Sequence, residues 1–372
     1  MKKVFPFAVA LIAVITGAAS ARPLGREAQS VIDTLLAPPM IKAEPGFRAK
    51  MFIPPGELYD PIYMVPWGNT ILMNDDGKAI GDHGGRILSI TPQGQISVVM
   101  DADALTPMAA FGIAPAGFGS FSGQVFALAQ PTNAMKGANA NHVIQRIDLN
   151  KHSITPVCTL PSAGSVGNGI PGLGTDARFG PPGSPFANAF YSMTILNDMI
   201  YKTLASGECK PFANLAKVGS PQGMAFTRDG SAMLVTVVAG EGIPSTNTTA
   251  NGKIVRIGPD GTIDPKPVAK GFIGPSGIAI APPGFGKYAG QIFVTDIGDY
   301  EAPVPQTQPL KRDGKVYRIT REGETKLVAS GFINPTCISV VGNHLWVTDI
   351  NGDFILGMRE LPDGFVVQLD AM

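Results

Sequence analysis

The stretch "IAPAGFGSFSGQVF" runs from Ile113 to Phe126, and "IAPPGFGKYAGQIF" runs from Ile280 to Phe293. The two phrases agree at most positions, which indicates a duplicated piece of local structure. In each, a short apolar run leads through Gly-Phe-Gly to a second apolar run, the pattern of two strands joined by a turn. We expect Phe118 and Phe285, the large apolar side chains of these turns, to fill gaps between repeated units.

The sequence around the second phrase contains four short alternating runs, which are "GPSGIAIAP" (274–282), "GQIFVTD" (290–296), "GKVYRITREG" (314–323) and "TKLVASGF" (325–332). Gly, Pro or Asp bounds each run, as expected for strands. Comparable units cover 60–101, 108–160, 220–272 and 334–369, and a weaker unit with three clear runs covers 175–216. Four-stranded units with a period of roughly 40 to 60 residues predict an all-β, six-bladed β-propeller with four-stranded antiparallel blades.

Residues 22–46 precede the ring and predict an extension with a short amphipathic helix before Pro38-Pro39. The propeller itself is predicted over 47–372. "FRAKMFI" (47–53) offers one more strand for closing the ring. Its place stays open, because the last unit already supplies four runs, the final two being "DFILGMREL" and "GFVVQLD".

After Met1 the sequence has two lysines, an apolar run from Val4 to Gly17 and the small residues Ala19-Ser20-Ala21. This is the pattern of a secretory signal peptide over residues 1–21. An uncleaved membrane anchor is the alternative, but the apolar run is short for a span of about 20 residues. We therefore expect a periplasmic or secreted protein with no membrane span after cleavage.

Composition narrows the possible partners. Lys+Arg and Asp+Glu both number 29, and no basic patch indicates nucleic acid.

The three cysteines are Cys158, Cys209 and Cys337, an odd number without a C-x-x-C motif. Cys158 and Cys209 lie on candidate outer strands of successive units, so either they pair in an oxidising compartment or all three are small buried apolar residues.

The phrases "PSGIAIAP…GQIFVTD…GKVYRI" and "PQGMAFTRDGSAMLVT…GKIVRIGPDG" resemble the six-bladed propellers of the NHL-repeat and gluconolactonase (senescence-marker-protein) superfamily. The resemblance extends over most of the chain beyond residue 54. It implies a metal-assisted, lactonase-like hydrolase acting on a small oxygen-rich substrate at the central channel. Since many chemistries use this scaffold, the alternative is a non-catalytic propeller that binds a ligand or a protein partner.

Long polar loops follow four of the predicted second strands and predict a site on one face of the ring, here termed the loop face. Carboxylates collect there, and they are ligands that suit Ca²⁺. The candidate metal ligands are Asp60, Asp75, Asp296 and Asp349. Each could instead cap the turn that follows its strand.

In the gluconolactonase pattern, a Glu on the first inner strand, an Asn in a P-N-G entry and an Asp in a P-D-G entry bind the metal. The matching positions here carry Asp60, Gln222 in "PQG" and Ser276 in "PSG". The neutral Ser276 weakens the implied metal site, so Gln222 and Ser276 are predicted to bind substrate.

Three other polar residues complete the candidate site. His83 lies in a long loop beside Asp82 and is a candidate general base, and Asp296 is a second candidate catalytic residue. Arg178 is the clearest cation near an inner strand, and Glu241 lies in another long loop. Both are predicted to bind substrate.

Overall fold

In the computed structural model the described residues are 33–75, 85–100, 108–129, 142–160, 173–195, 197–238, 250–298, 312–350 and 361–372. Within these ranges six antiparallel sheets follow one another along the chain. The six-bladed propeller expected from the sequence is therefore confirmed. Its N-terminal extension contains a helical turn at residues 33–36, whose Leu35 is fully buried.

The N-terminal segment and the first three blades contain fourteen of the strands described. They are β1 (Lys42–Ala43), β2 (Phe47–Leu58), β3 (Pro61–Trp67), β4 (Thr70–Asp75), β5 (Arg86–Ile90), β6 (Ile96–Met100), β7 (Met108–Ile113), β8 (Val125–Ala129), β9 (Val143–Asp148), β10 (Ser153–Thr159), β11 (Leu173–Phe179), β12 (Ala189–Ile195), β13 (Met199–Leu204) and β14 (Cys209–Asn214).

The last three blades contain the remaining strands described. They are β15 (Ser220–Phe226), β16 (Met233–Val238), β17 (Gly252–Ile257), β18 (Ala269–Phe272), β19 (Pro275–Ile280), β20 (Ile292–Asp296), β21 (Gly314–Ile319), β22 (Thr325–Phe332), β23 (Pro335–Val341), β24 (His344–Asp349) and β25 (Gly364–Ala371).

Burial falls from the inside of each blade to its edge. The second strands β8 and β16 are buried at every position, whereas the outer strand β10 is largely accessible. A second strand is covered on both faces by neighbouring blades, so its continuous apolar sequence suits that position. The six innermost strands β3, β7, β11, β15, β19 and β23 contact one another in turn around the ring, and β23 contacts β3.

The N-terminal strand β2 closes the ring. It pairs with β25 and forms the outer strand of the sixth blade, in the order β2-β25-β24-β23. This corrects the sequence interpretation of the last unit, because "GFVVQLD" forms the third strand of this blade rather than the fourth. "DFILGMRE" lies outside the described residues. Pairing the two ends of the chain in one blade joins them by main-chain hydrogen bonds, which resist opening of the ring.

The third blade also differs from its sequence interpretation. Its innermost strand is β11, which precedes the three recognised runs, and "FANAFYSM" supplies the second strand. Asp176 and Arg178 interrupt the apolar pattern of β11, which concealed this strand.

The repeated phrases occupy equivalent hairpins. Phe118 and Phe285 precede short 3₁₀ turns at 119–121 and 286–288, and both side chains are almost fully buried. Phe118 packs edge-on against Phe179 of the next blade. Tyr288 stacks on Phe47 of β2, so these inserts pack aromatic rings between blades as expected.

A disulfide joins Cys158 to Cys209, with 6.1 Å between their Cα atoms. It connects the outer strand of the second blade to the outer strand of the third. The structure therefore favours pairing for these two residues, and Cys337 is buried apart from them.

Candidate functional site

Three of the predicted metal ligands occupy the same position in adjacent blades. Asp75, Asp296 and Asp349 end the second strands of blades one, five and six, and all three are buried. Each carboxylate accepts hydrogen bonds from two consecutive main-chain N–H groups just before the innermost strand of its own blade.

Asp75 has an additional partner. Arg86 donates from Nε and Nη2 to Oδ2 of Asp75, at 2.9 and 2.7 Å. Burial raises the pKa of Asp75, and the Arg86 guanidinium opposes that shift. The main-chain N–H of Asp60 donates to Oδ1 of Asp75, which places Asp60 in the connection before β3.

Within the described ranges, no three His, Cys, Asp or Glu side chains are grouped so that they could hold a metal ion. The predicted site residues His83 and Glu241 lie outside those ranges. Asp75, Asp296 and Asp349 each accept main-chain hydrogen bonds, which gives them a structural role, and their role as metal ligands stays a prediction.

Gln222 and Ser276 lie on the neighbouring strands β15 and β19, beside glycines that the ring geometry requires. A Cβ atom on Gly223 would lie 2.3 Å from the carbonyl oxygen of Ser276, and one on Gly277 would lie 2.6 Å from a main-chain nitrogen of β23. Only glycine permits this approach between innermost strands. The P-x-G entries are therefore explained by packing.

The Ser276 hydroxyl connects blades five and six. It donates to the carbonyl oxygen of Pro335 at 2.6 Å and lies 2.8 Å from the Thr295 hydroxyl. Gln222 makes one long contact, from Nε2 to the carbonyl oxygen of Ser220 at 3.4 Å. At the loop-face end of the channel, Ser276 and Gln222 thus form their hydrogen bonds with atoms of the propeller itself.

A second polar cluster, formed by Asp176, Arg178 and Tyr63, lies within the channel. Arg178 lies on β11, and its Nε is 3.4 Å from Oδ2 of Asp176, two residues earlier. Its Cζ lies 5.3 Å from the centre of the Tyr63 ring on β3. Residues two apart on a strand share one face, so the phrase "TDARF" is the sequence signal for the buried Asp176.

Burial is the main cause of the shifted pKa values of the titratable residues around Arg178. It raises the pKa of Tyr63 well above its ordinary value and the pKa of Cys337 to about 11. It also raises the pKa of Asp176, although Arg178 and a hydrogen bond from the main-chain N–H of Met224 oppose the shift. Tyr63 and Cys337 are therefore neutral near pH 7, and Arg178 and Asp176 are the groups of this cluster that can carry charge.

A cavity of about 400 Å³ adjoins Arg178 and is lined by residues of all six innermost strands. Apart from Tyr63, the lining residues lie at or beyond the middle of those strands, toward the hairpins that lead to the second strands. We term this end of the ring the hairpin face. It is opposite to the loop face, where the sequence predicted the site.

No helix in the described part of the chain is long and apolar enough to span a membrane.

Comparison with known proteins identifies relatives by fold only. The sequence matches no family model and no curated protein. A gluconolactonase from Xanthomonas campestris is similar in structure, with a TM-score of 0.57 and 13% identity over 90% of this chain and 95% of that one.

A protein described as an oxidoreductase (glucose dehydrogenase) from Thermus thermophilus has a TM-score of 0.56 and 16% identity over 87% of this chain and 100% of that one. A protein of unknown function from Bacteroides thetaiotaomicron has a TM-score of 0.55 and 10% identity, over 90% and 77% of the two chains. The TM-scores show a shared architecture. The sequence identities are too low to carry over the chemistry of these proteins. The chain is a six-bladed β-propeller of the fold found in gluconolactonases.

Proposed function

We propose that the protein is an exported, ligand-binding propeller that holds a small molecule in its central channel. One observation carries the proposal: the 400 Å³ cavity on the channel is lined mainly by apolar residues, together with Tyr63, Ser339 and the single arginine Arg178. Small-molecule sites have volumes of about 300 to 1,000 Å³ and combine such walls with a few polar groups.

Two independent features support export. The first 21 residues have the pattern of a signal peptide. The disulfide between Cys158 and Cys209 belongs to proteins of oxidising compartments. Cell fractionation and N-terminal sequencing of the purified protein test this part, and a cytoplasmic chain that retains residues 1–21 would overturn it.

Thermal unfolding against a library of sugars, sugar acids, lactones and aromatic acids tests ligand binding. A ligand at about 100 times its Kd stabilises the folded state by roughly 2.7 kcal/mol. Val340→Trp, which fills part of the cavity, is expected to abolish the stabilisation. Val98→Trp is the matched control, since Val98 is 53% exposed on an outer strand. Stabilisation that survives Val340→Trp would place the ligand elsewhere.

Lactone hydrolysis is the second candidate, and the structural likeness to the gluconolactonase of Xanthomonas campestris favours it. Within the described ranges no three His, Cys, Asp or Glu side chains are grouped to hold a metal ion, so a bound Ca²⁺ would also need other oxygen ligands, such as carbonyl groups. A panel of sugar lactones, assayed by proton release with and without chelator, tests this candidate. Hydrolysis that chelator abolishes and Ca²⁺ restores would support it, and no hydrolysis would exclude it.

A protein partner bound to the loop face remains a separate prediction. The long loops of this face lie largely outside the described residues, so the prediction of a partner rests on the sequence alone.

A further inference from the structure

One arginine crosses the middle of the channel. Arg178 belongs to blade three, its guanidinium lies over the Tyr63 ring of blade one, and its Nη2 donates to the carbonyl oxygen of Ile278 in blade five at 3.4 Å. These three blades alternate around the ring. A group that contacts all of them lies close to the ring axis.

The hydrogen-bonding capacity of this guanidinium is not used up. Its buried Nε has no hydrogen-bond acceptor among the described residues. Asp176 is the nearest carboxylate, but 3.4 Å is longer than the roughly 2.7 to 2.9 Å of a charged N–H···O bond. Oδ2 of Asp176 instead accepts the main-chain N–H of Met224 at 2.7 Å. A guanidinium held only by these long contacts, with its Nε buried, would gain from a further acceptor.

The space next to Arg178 is suited to the apolar part of a ligand. Three phenylalanines, Phe111, Phe179 and Phe226, and the aliphatic Ile113 and Ile280 line the cavity. Arg178 also lines it, and its side chain is 23% exposed. Arg178 is the only charged residue among the described residues of this lining, and most of the other side chains around the cavity are apolar.

We infer that the hairpin-face cavity binds a small molecule with one carboxylate on an apolar body, the carboxylate contacting Arg178 and the body packing against the phenylalanines. The inference rests on the proposed function and specifies the ligand class of the same cavity. Arginine suits this role because its planar fork donates two parallel hydrogen bonds to a carboxylate. The nearby negative charge of Asp176 disfavours a ligand with two negative charges.

The same arrangement predicts how binding depends on pH. Asp176, Tyr63 and Cys337 are the titratable groups beside Arg178, and the latter two remain neutral because burial raises the pKa of each. The negative charge of Asp176 opposes a bound carboxylate. Since the pKa of Asp176 is raised, acidification protonates it before ordinary aspartates and strengthens binding while the ligand stays ionised.

Calorimetric titration of the mature protein with 2-naphthoate and its neutral isostere 2-naphthamide tests the inference. The wild type is expected to bind naphthoate at least about tenfold more tightly than naphthamide. The reason is that hydrogen bonds to charged groups are stronger than those between neutral groups, and the difference in free energy corresponds to about this ratio of affinities. Arg178→Met should remove the preference, whereas Arg256→Met, at a partly exposed arginine of β17 outside the cavity lining, should retain it. Asp176→Asn should tighten naphthoate binding at pH 7 and flatten its pH dependence.

Three results separate the inference from the proposed function. Equal binding of both probes by the wild type would overturn the carboxylate assignment and leave the cavity as a ligand site. This comparison needs no variant, so it holds even if Arg178→Met fails to fold. Protection by neutral library members alone, lost in Val340→Trp, would have the same meaning. The absence of any Val340-dependent ligand would overturn the proposed function itself.

Discussion

Asp296→Asn distinguishes a structural carboxylate from a metal ligand. Oδ1 of Asp296 accepts the N–H groups of Gly274 and Gly298 at 2.7 and 3.1 Å, and Oδ2 accepts the N–H of Ile273 at 3.1 Å. Asparagine retains one acceptor oxygen and directs an NH₂ group at the remaining N–H donor. The variant therefore loses at least one hydrogen bond to a charged group and leaves a donor unsatisfied.

The expected cost is about 2 to 3 kcal/mol of unfolding free energy, because a hydrogen bond to a charged group contributes roughly 1.5 to 3 kcal/mol. Urea unfolding in the presence of EDTA, followed by tryptophan fluorescence, measures this change. Asp260→Asn is the matched control. Asp260 is an exposed turn residue that also accepts a main-chain N–H, from Thr262, so its replacement should leave the midpoint almost unchanged.

The same titration is repeated with Ca²⁺. If Asp296 is a structural carboxylate, the difference between the wild type and Asp296→Asn is equal in EDTA and in Ca²⁺. Equal stability in EDTA, with a difference that appears only when Ca²⁺ is added, would refute this reasoning and identify Asp296 as a metal ligand.

Three further predictions follow from the blade contacts. Replacing Cys158 and Cys209 by serine should lower the unfolding free energy by roughly 4 kcal/mol, the chain-entropy value for a loop of this length, since the cysteines are 51 residues apart. Guanidinium unfolding of the wild type with reductant should give the same midpoint as the variant. A variant midpoint equal to that of the oxidised wild type would contradict the prediction. Phe118→Ala should cost about 3 to 5 kcal/mol in the same assay, because it leaves a cavity between blades, and a loss below about 1 kcal/mol would show that the blades close over the gap. Burial raises the pKa of Asp370, but hydrogen bonds, that from Arg48 first among them, outweigh burial and lower it overall. Its stabilisation is therefore complete above an ordinary aspartate pKa of about 4 and is lost as pH falls through the lowered value. In unfolding titrations the difference between Asp370→Asn and the wild type should stay constant down to a pH of about 4 and narrow below it, and a difference that does not narrow would contradict this.

The repeated strands and turns were predictable because the signals that specify them are local. Alternating apolar runs and bounding glycines identified all four strands of blades one, two, four and five. The strand β11 was missed because two of its residues, Asp176 and Arg178, serve the channel and break the apolar pattern. The strand β2 was left open because its partner β25 lies at the other end of the chain, and no local pattern records that pairing.

The candidate site was less predictable for the same reason. Acidic residues at strand ends are visible in the sequence, but whether Asp296 binds a metal or main-chain amides depends on the connection that faces it. Ser276 was considered as a substitute for a metal ligand, and its hydroxyl instead joins two blades. Arg178 was predicted to bind substrate as a cation near an inner strand, but the sequence does not show which end of the channel has space beside it.

By itself, the sequence determined the six-fold repeat, the blade architecture and the packing role of the Gly-Phe-Gly turns, because strand periodicity and turn chemistry act over a few neighbouring residues. Only the tertiary structure decided the rest. It showed that β2 closes the sixth blade, that Cys158 meets Cys209, and that Tyr63, Asp176 and Arg178 meet in the channel. Each of these contacts joins distant parts of the chain, so each depends on how the whole ring closes.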